Sequence, residues 1–369
     1  MSSNPKAIIH LDRLCANYDL IKKKFPNKDI MCVVKANAYG HGSVECAMAL
    51  ENNGCKSFAV FTIDEGVELR NAGVQSEILV FSRMDINRLN EAVKYNLILN
   101  ICEKSDLLMI DNYINDGGIP PVFHLKIDTG MTRLGVDFND VPETLKLIKN
   151  HSQINCEGIY SHFSTADEGD LSYAHNQLEK FNAVLKLADD SGILFRSIHC
   201  SNSGALLNLD QKRMTHIRVG MILYGAYPSN EVPQKLDINP VMEFKASIVQ
   251  VRQVSKGTKV SYGGVYKTES DTNIGVIQCG FADGFPRPWF NGGFVIFQGK
   301  QYKIAGRICM DQFMVNFEEE NPTIGEEVLL FGLSDNGEIK METIANHIDS
   351  TPYVIATGIG GRTRRIYED

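Results

Sequence analysis

Between about residues 30 and 230, eight short apolar runs alternate with helix-length segments. The runs are Met31–Val34, Ser57–Phe61, Ile78–Phe81, Leu97–Ile101, Val122–Ile127, Cys156–Ser161, Ser197–His199 and His216–Val219. Amphipathic stretches such as Ser43–Asn53 and Tyr173–Asp190 lie between them. A strand followed by a helix, repeated eight times, is typical of a (β/α)8 barrel. An open doubly wound sheet is the alternative, but the G-x-G-x-x-G phosphate turn of that fold is absent.

The chain changes character near residue 235. Pro233 and Pro240 mark a linker. Alternating or β-branched runs then follow at Phe244–Val254, Thr258–Tyr262, Asn273–Cys279, Gly293–Ile304, Gln312–Phe317 and Glu327–Leu330. Turn residues separate these runs, which predicts a mostly β domain. We therefore expect an α/β protein with a barrel over residues 11–235 and a C-terminal β domain over 236–369, on which a strand from residues 1–10 packs.

Composition narrows the classes of function. The chain has 45 acidic and 37 basic residues and a net charge of -8, which disfavours general nucleic-acid binding. Its nine cysteines match no zinc or disulfide pattern, so we expect reduced thiols and no bound metal. The segment Met1–Leu14 lacks the apolar region of a secretory signal, and no apolar run approaches the ~18 residues of a membrane span. These features predict a cytoplasmic enzyme without a membrane partner.

Lys35 stands at the end of the first barrel strand, where barrel enzymes carry their catalytic groups. A lysine that is desolvated at a barrel mouth can have its pKa lowered, which makes the amine a better nucleophile. A strand-end lysine that simply reaches solvent is the alternative. The spacing of residues alone does not separate these two interpretations.

The fifth strand carries an alternating set of ionisable residues. His124, Lys126 and Asp128 alternate with apolar neighbours, so we expect these three side chains to point into the barrel. Ionisable groups inside a barrel need partners. Arg133 follows closely, and a purely structural Asp128–Arg133 ion pair is the alternative to a functional role.

Polar residues also follow the later strands. His162 and Arg218 lie at strand ends, and Ser203 and Gly220 come after the seventh and eighth strands. Barrel enzymes usually bind phosphate at these two places, where backbone N–H groups face the anion. A simple helix cap would explain Ser203 equally well.

The segment Val33–Gly42, which reads Val-Val-Lys-Ala-Asn-Ala-Tyr-Gly-His-Gly, strongly resembles the pyridoxal-phosphate lysine motif of alanine racemases. The likeness covers essentially the whole chain and includes Lys126–Gly135, Ser161–Glu168, Arg218–Gly225, Val260–Gly264 and Gly306–Phe313. It implies a fold type III, pyridoxal-phosphate-dependent isomerase that interconverts L-alanine and D-alanine and supplies D-alanine for peptidoglycan. A broader-specificity racemase acting on serine or basic amino acids is the alternative, which these motifs do not separate.

The resemblance also implies roles for individual residues. Lys35 is expected to carry pyridoxal 5'-phosphate and to exchange the α-proton of D-alanine, while Tyr262 is the opposite base, for L-alanine. Arg218 is expected to face the pyridine nitrogen. We expect positive charge from Arg218 and His162 to help Tyr262 act as a base. The other cofactor-binding positions implied by the resemblance are Tyr39, His162, Asn202, Ser203, Gly220, Met221 and Tyr353.

Substrate binding is implied at two further places. Arg133 matches the residue that holds the substrate carboxylate, and Met310 supplies a backbone contact, with Cys309 and Asp311 as supporting neighbours. Tyr262 and Met310 are expected to reach the cofactor of the other subunit. The implied assembly is therefore a homodimer with shared active sites.

Lys126 matches a position that is often carbamylated. An unmodified Lys126 would place a second cation near Arg133. Carboxylation of the amine would create an anion that can pair with Arg133 in a charge-assisted hydrogen bond. We therefore expect a carbamate at this residue.

Overall fold

The computed structural model describes residues 4–151 and 153–369. Eight parallel strands form a barrel in two ladders of four strands each. The first ladder runs in the spatial order Glu77–Val80, Ser57–Val60, Asp29–Val33 and His216–Val219, and the second follows sequence order from Leu99–Ile101 to Ser197–His199. A bridge between Leu79 and Ile98 joins the ladders on one side, and on the other the Thr215 N–H donates to the Ile198 carbonyl at 2.9 Å. The predicted (β/α)8 barrel is confirmed. Its strands are β2 (Asp29–Val33), β3 (Ser57–Val60), β4 (Glu77–Val80), β5 (Leu99–Ile101), β6 (Val122–Lys126), β7 (Asn155–Tyr160), β8 (Ser197–His199) and β9 (His216–Val219).

Helices connect the barrel strands. Although α1 precedes the first barrel strand, it packs on α3 and on the 3₁₀ turn Met221–Tyr224, so it takes the place of a helix after the last strand. The short element α2 is a left-handed turn rather than a helix. The helical elements are α1 (Leu11–Lys24), α2 (Lys35–Tyr39), α3 (Ser43–Asn52), α4 (Ile63–Asn71), α5 (Leu89–Lys94), α6 (Lys104–Asn115), α7 (Val141–Asn150), α8 (Ser172–Asp190) and α9 (Ser203–Asn208).

The C-terminal part is mostly β, as predicted, and β10 is its central strand. One sheet contains β1 (Lys6–His10), β10 (Met242–Val254), β13 (Thr272–Ile277), β14 (Phe294–Phe297), β15 (Lys300–Lys303), β16 (Phe313–Asn316), β17 (Glu327–Ser334), β18 (Gly337–Ile339) and β19 (Arg364–Glu368). The strands β11 (Lys259–Val260) and β12 (Tyr266–Lys267) form a separate ladder. Two helices were not predicted, namely α10 (Met341–His347) and α11 (Pro352–Gly358).

The first strand of the chain belongs to this C-terminal sheet. It pairs antiparallel with β10, with Ala7 opposite Phe244, and parallel with β19, with Ala7 opposite Arg365. A continuous apolar core then runs from this sheet into the barrel, which fixes the two parts against each other. The domain boundaries at residues 11–235 and 236–369 stay a prediction.

Two predicted strands are wrong in their extent. The run Gly293–Ile304 is a hairpin, because Gln298 and Gly299 have φ values of 48° and 81° and form a tight two-residue turn. The run Thr258–Tyr262 ends as a strand at Val260, because Ser261 has a φ of 65°. Tyr262 consequently opens a turn instead of ending a strand.

Two general properties can be read from the described residues. All nine cysteines are free thiols. Within residues 4–151 and 153–369, no helix combines the length and the apolar character that crossing a membrane requires.

Candidate active site

A cavity of about 790 Å³ opens at the C-terminal ends of the barrel strands. Most of the predicted site residues lie in its wall, although they come from distant parts of the sequence. Those residues are Lys35, Tyr39, Lys126, Arg133, His162, Asn202, Ser203, Arg218, Gly220 and Tyr353. Aromatic and apolar side chains complete the wall, among them Phe61, Phe81 and Tyr160. A deep cavity with a few polar groups is the usual form of a small-molecule site.

Lys35 opens a left-handed backbone turn. The four residues from Ala36 to Tyr39 have φ values of 52°, 54°, 52° and 50°. None of them is glycine, and left-handed backbone costs an ordinary residue about 1–2 kcal/mol. The surrounding contacts must therefore hold the turn, and one of them is the Arg365 Nε–H, which donates to the Gly40 carbonyl at 2.7 Å.

The amine of Lys35 lies among positive charges. Burial lowers its pKa below the usual lysine value, and Arg133 and Arg218 lower it further, while Glu65 acts in the opposite direction. In this environment a larger fraction of the lysine side chain is in the neutral amine form at neutral pH than in water. The site thus provides a nucleophile at its floor.

Arg218 is buried, and its two terminal nitrogens donate to four acceptors. One terminal nitrogen donates to His199 Nδ1 at 2.9 Å. The other donates to His162 Nδ1 at 2.9 Å and to the carbonyls of Ser161 and Cys200 at 2.9 and 3.2 Å. Because arginine can only donate, both Nδ1 atoms act as acceptors, and both imidazole rings are neutral.

The neutral state of His162 corrects one prediction. The pKa of His162 is held well below its ordinary value. Burial is the largest cause, and the charge of Arg218 is the second. His162 therefore adds no positive charge at neutral pH, and the expectation that it does was wrong. Arg218 remains a fixed cation of the cavity wall.

A second hydrogen bond links His199, one of the partners of Arg218, to His124. With Nδ1 of His199 accepting from Arg218, its Nε2 carries the proton and donates to His124 Nδ1 at 2.9 Å. Burial lowers the pKa of His124 to about 3, so this ring is neutral too. The sequence contained a signal for these hydrogen bonds. The alternating pattern of its strand places His124 on the face that points into the barrel, and His199 is the last residue of another strand.

Lys126 is a buried amine in the cavity wall. Its side chain lies 5.5 Å from the Tyr160 ring centre, and the residue is 6% exposed. Burial lowers its pKa to about 8; Cys102 opposes this shift, and the charges of Arg133 and Arg218 add to it. Among residues 4–151 and 153–369, no carboxylate forms an ion pair with it. Its position next to the cavity is therefore electrostatically costly in the protonated form.

Arg133 is an exposed guanidinium in the cavity wall. The alternative Asp128–Arg133 pair does not form, because Asp128 Oδ1 instead accepts from the Gly130 and Thr132 amides at 2.8 and 3.1 Å. No ion pair of Arg133 is found in the described part of the chain. A guanidinium of this kind can bind a carboxylate through two hydrogen bonds.

A further part of the cavity wall, around Ser203 and Gly220, suits an anion. Ser203 Oγ is buried in this wall, and the Tyr353 hydroxyl is its neighbour. A Cβ atom at Gly220 would lie 2.7 Å from the Tyr39 hydroxyl, so a glycine keeps the backbone accessible here. Asn202 supports the same turn, since its Oδ1 accepts from the Ala205 amide at 2.9 Å and caps α9. These donors match the phosphate of a cofactor.

Some predicted residues are not brought to the cavity. The side chain of Met221 is fully buried and does not line it. Tyr262 and Met310 do not line it either and are 67% and 56% exposed. Their neighbours Cys309 and Asp311 lie in the same C-terminal region, where Asp311 accepts from Arg362 at 2.8 Å.

Tyr160 and Glu65 were missed by the sequence analysis. Tyr160 ends β7, and the Arg218 guanidinium lies 5.4 Å from its ring centre. Its position as the last strand residue before Ser161 and His162 was the available signal. Glu65 forms a capping box with Thr62, a pattern that is readable three residues apart.

Two family descriptions match nearly the whole chain. Residues 9–228 match the alanine racemase N-terminal domain, and residues 241–367 match the alanine racemase C-terminal domain. An alanine racemase of Carboxydothermus hydrogenoformans is 37% identical over 363 residues, which are 98% of each chain. Alanine racemase 2 of Caldanaerobacter subterraneus is 36% identical over 97% of this chain and 93% of its own.

Solved structures give the same result. The alanine racemase of a D-cycloserine-producing Streptomyces lavendulae superimposes with a TM-score of 0.93 at 33% identity, covering 100% of this chain and 98% of its own. The Bacillus anthracis alanine racemase with bound L-Ala-P gives a TM-score of 0.90 at 30% identity, covering 100% and 96%.

Proposed function

Because this chain belongs to the alanine racemase family, we propose that it is a pyridoxal-phosphate-dependent isomerase that interconverts L-alanine and D-alanine. The observation that carries the proposal is the composition of the cavity wall. It places an amine of lowered pKa, at Lys35, in the same cavity as the buried guanidinium of Arg218 and the buried hydroxyl of Ser203. A covalent attachment point, a ring contact and a phosphate contact are thus available together.

Pyridoxal phosphate, when bound, supplies an electron-withdrawing ring that acidifies the α-proton of an amino acid attached to it. Lys35 is the attachment residue, and Ser203 with the Gly220 backbone holds the phosphate. Tyr39, Tyr353 and the Met221 backbone complete that contact, with His162 and Asn202 as neighbours. Arg218 would face the ring nitrogen, to which a guanidinium can offer only a donor.

Racemisation needs a proton donor and acceptor on each face of the substrate. Lys35 Nζ serves the face from which D-alanine loses its proton. The partner subunit's Tyr262 serves the other face, since the Tyr262 of the same chain does not line the cavity. Arg218 supplies the positive charge that helps a tyrosine hydroxyl give up its proton.

Arg133 binds the substrate carboxylate, and the partner subunit's Met310 adds a backbone contact. Lys126 is proposed to be carbamylated, because a carbamate removes the cost of the buried ammonium and gives Arg133 an anionic neighbour. A protein sample kept in 13C-labelled bicarbonate tests this: a carbamate carbon resonance is expected, and it should be absent in Lys126→Met.

The active assembly is proposed to be a homodimer with two shared sites, Cys309 and Asp311 supporting the segment that Met310 contributes. D-alanine for peptidoglycan is the proposed use of the product. A cytoplasmic location is supported by the nine free thiols, which persist in a reducing compartment.

The decisive experiment is incubation of the purified, cofactor-loaded protein with L-alanine, L-serine or L-lysine, followed by chromatographic separation of the enantiomers. D-alanine should form fastest, and Lys35→Ala should form none. Faster conversion of serine or lysine would favour the broader-specificity racemase. No product from any of the three would overturn the proposed function.

A further inference from the structure

The first left-handed residue after Lys35 is held by a carboxylate from another helix. Glu65 Oε1 accepts a hydrogen bond from the Ala36 backbone N–H at 2.7 Å. Its second oxygen, Oε2, accepts from the Phe61 and Thr62 amides at 2.7 and 3.1 Å. One side chain therefore joins the Lys35 turn to the N-terminus of α4.

Capping a helix does not require this additional contact. The N-terminus of α6 has the same capping arrangement, in which Asp106 Oδ2 accepts from the Cys102 and Glu103 amides at 3.0 and 3.1 Å. The other oxygen of Asp106 accepts from the Arg83 side chain at 3.1 Å instead of from a strained turn. The Glu65 side chain is one methylene longer than that of Asp106, and its other oxygen accepts the hydrogen bond from the Ala36 N–H.

The contact between Glu65 and Ala36 helps to hold a strained backbone turn. Four consecutive non-glycine residues with positive φ persist only where surrounding contacts over-determine them. The contacts at the far end come from Arg365, which binds the Gly40 carbonyl, and from Asn37 Oδ1, which accepts from the Ser43 amide at 2.9 Å. At the near end, next to Lys35, the Ala36 N–H has Glu65 as its partner.

We propose that Glu65 is a positioning residue for Lys35: its carboxylate fixes the Lys35–Ala36 peptide and hence the direction in which the Lys35 side chain enters the cavity. Glu65 does not line the cavity, so it orients Lys35 through the backbone, and its charge, which opposes the lowering of the pKa of Lys35 by burial, is kept in an aspartate variant. The inference rests on the proposed function, since it assigns Glu65 to the residue that moves the proton. A misplacement of about 1 Å in a reacting group is enough to lower a rate about 100-fold.

Two variants separate this role from helix capping. In Glu65→Gln the amide oxygen can still cap Phe61 and Thr62, but an NH2 group then faces the Ala36 N–H. In Glu65→Asp the shorter carboxylate can cap α4 as Asp106 caps α6, and it no longer reaches Ala36. The control is Thr62→Val, which removes the hydroxyl that accepts from the Glu65 amide at 3.2 Å and leaves the carboxylate in place.

The first measurement is amide hydrogen exchange of the segment 34–42 in the apoenzyme. Both Glu65 variants should speed exchange of the Ala36 amide by at least about tenfold, which corresponds to the loss of one charge-assisted hydrogen bond. Thr62→Val should speed exchange at 62–66 and leave Ala36 within about twofold of the wild type. Wild-type protection of Ala36 in both Glu65 variants would overturn the proposal.

The second measurement is alanine racemisation by the cofactor-loaded proteins. The Glu65 variants should lower kcat by about 10-fold to 100-fold with KM changed less than about threefold, because the substrate carboxylate contact is untouched. An unchanged kcat in variants that have lost Ala36 protection would refute the positioning role. If the wild type does not racemise alanine, the proposed function fails, while the exchange result still decides whether Glu65 holds the turn.

Discussion

The polar side chains at the barrel mouth and the side chain of Tyr262 differ in burial and in hydrogen bonding. In the barrel, Arg218 is buried and makes four hydrogen bonds to strand-end groups, and one of its partners, His199, is held in turn by His124. In the C-terminal region, Tyr262 is mostly exposed, and no hydrogen bond of its hydroxyl is found in the part of the chain that the structure describes.

This difference concerns whether one active site takes its residues from one subunit or from two. The barrel positions its polar groups within a single chain, because their backbone and side-chain partners come from neighbouring strands. The residues proposed for the opposite face of the substrate lie on an exposed surface away from the cavity of their own chain. We infer that the barrel contributes stability and cofactor binding together, whereas the Tyr262 turn contributes catalysis with little stability.

The largest expected effect comes from mixing two inactive variants. Lys35→Ala and Tyr262→Phe should each lower kcat by at least about 1,000-fold, because each removes one of the two groups that transfer a proton. If sites are shared, each mixed dimer has one intact site, so random reassembly of equal amounts should restore about a quarter of the wild-type rate.

The measurement is racemisation after the two proteins have been denatured, mixed and refolded with cofactor. Each variant refolded alone is the control and should stay inactive. A mixture no more active than the variants alone would show that both groups act within one chain.

Tyr262→Phe alone should separate activity from stability. Its unfolding free energy should stay within about 0.5 kcal/mol of the wild type, because the side chain is exposed. Exchange of the α-proton of D-alanine with D2O, followed by proton NMR, should persist because Lys35 is intact. The matched control is Tyr266→Phe, whose hydroxyl accepts from Asn316 at 2.8 Å; that variant should lose about 1 kcal/mol and keep its activity. A loss of stability in Tyr262→Phe comparable with that of the control would contradict the comparison.

The buried amine of Lys126 should make stability depend on pH. Its pKa in the folded protein is about 8, and an unfolded lysine has a pKa near 10.4, so between these values the unfolded state binds more protons. In buffer free of carbon dioxide, the unfolding free energy should therefore rise with pH across this window by up to about 3 kcal/mol relative to Lys126→Met. Below pH 8 the wild type carries the full cost of the ammonium.

Urea unfolding of both proteins at several pH values measures this difference. Lys180→Met, on an exposed position of α8, is the control and should follow the wild type. A constant difference between wild type and Lys126→Met from pH 7 to 10 would rule out a buried ammonium.

The smallest effect is expected far from the cavity. Gly299 has a φ of 81° in the hairpin between β14 and β15, and a Cβ there would meet only the Asn336 carbonyl at an ordinary 3.7 Å. Gly299→Ala should therefore cost about 1 kcal/mol through backbone strain alone. Activity should not change, and a lower kcat would show that the sheet transmits strain to the site.

The barrel could be predicted from the sequence because its signals are local and repeated. Each strand is a short apolar run, and each helix has its own period, so all eight strands were placed within two or three residues. The hairpin at Gln298–Gly299 was missed although the sequence carries its signal. Gln298 and Gly299 interrupt the apolar run, and a glycine takes positive φ readily. The helix α11, which carries Tyr353, lies in a short segment without a clear apolar period.

The candidate site was predictable only in part. Lys35, Ser203 and Gly220 follow strands, so the barrel topology alone brings them together. The left-handed turn from Ala36 to Tyr39 carries no such signal, because the sign of φ in a run without glycine depends on tertiary partners. The charge of His162 was mispredicted for the same reason, since the burial that lowers its pKa is a property of the folded chain.

The pairing of β1 between β10 and β19 has a consequence for the order of synthesis. During synthesis, β1 stays without its parallel neighbour until Arg364–Glu368 has been made, about 350 residues later. At about 5–20 residues per second, this delay lasts tens of seconds. Arg365, which binds the Gly40 carbonyl, arrives in the same last strand. A nascent barrel therefore waits for β19 before the turn beside Lys35 has all of its contacts.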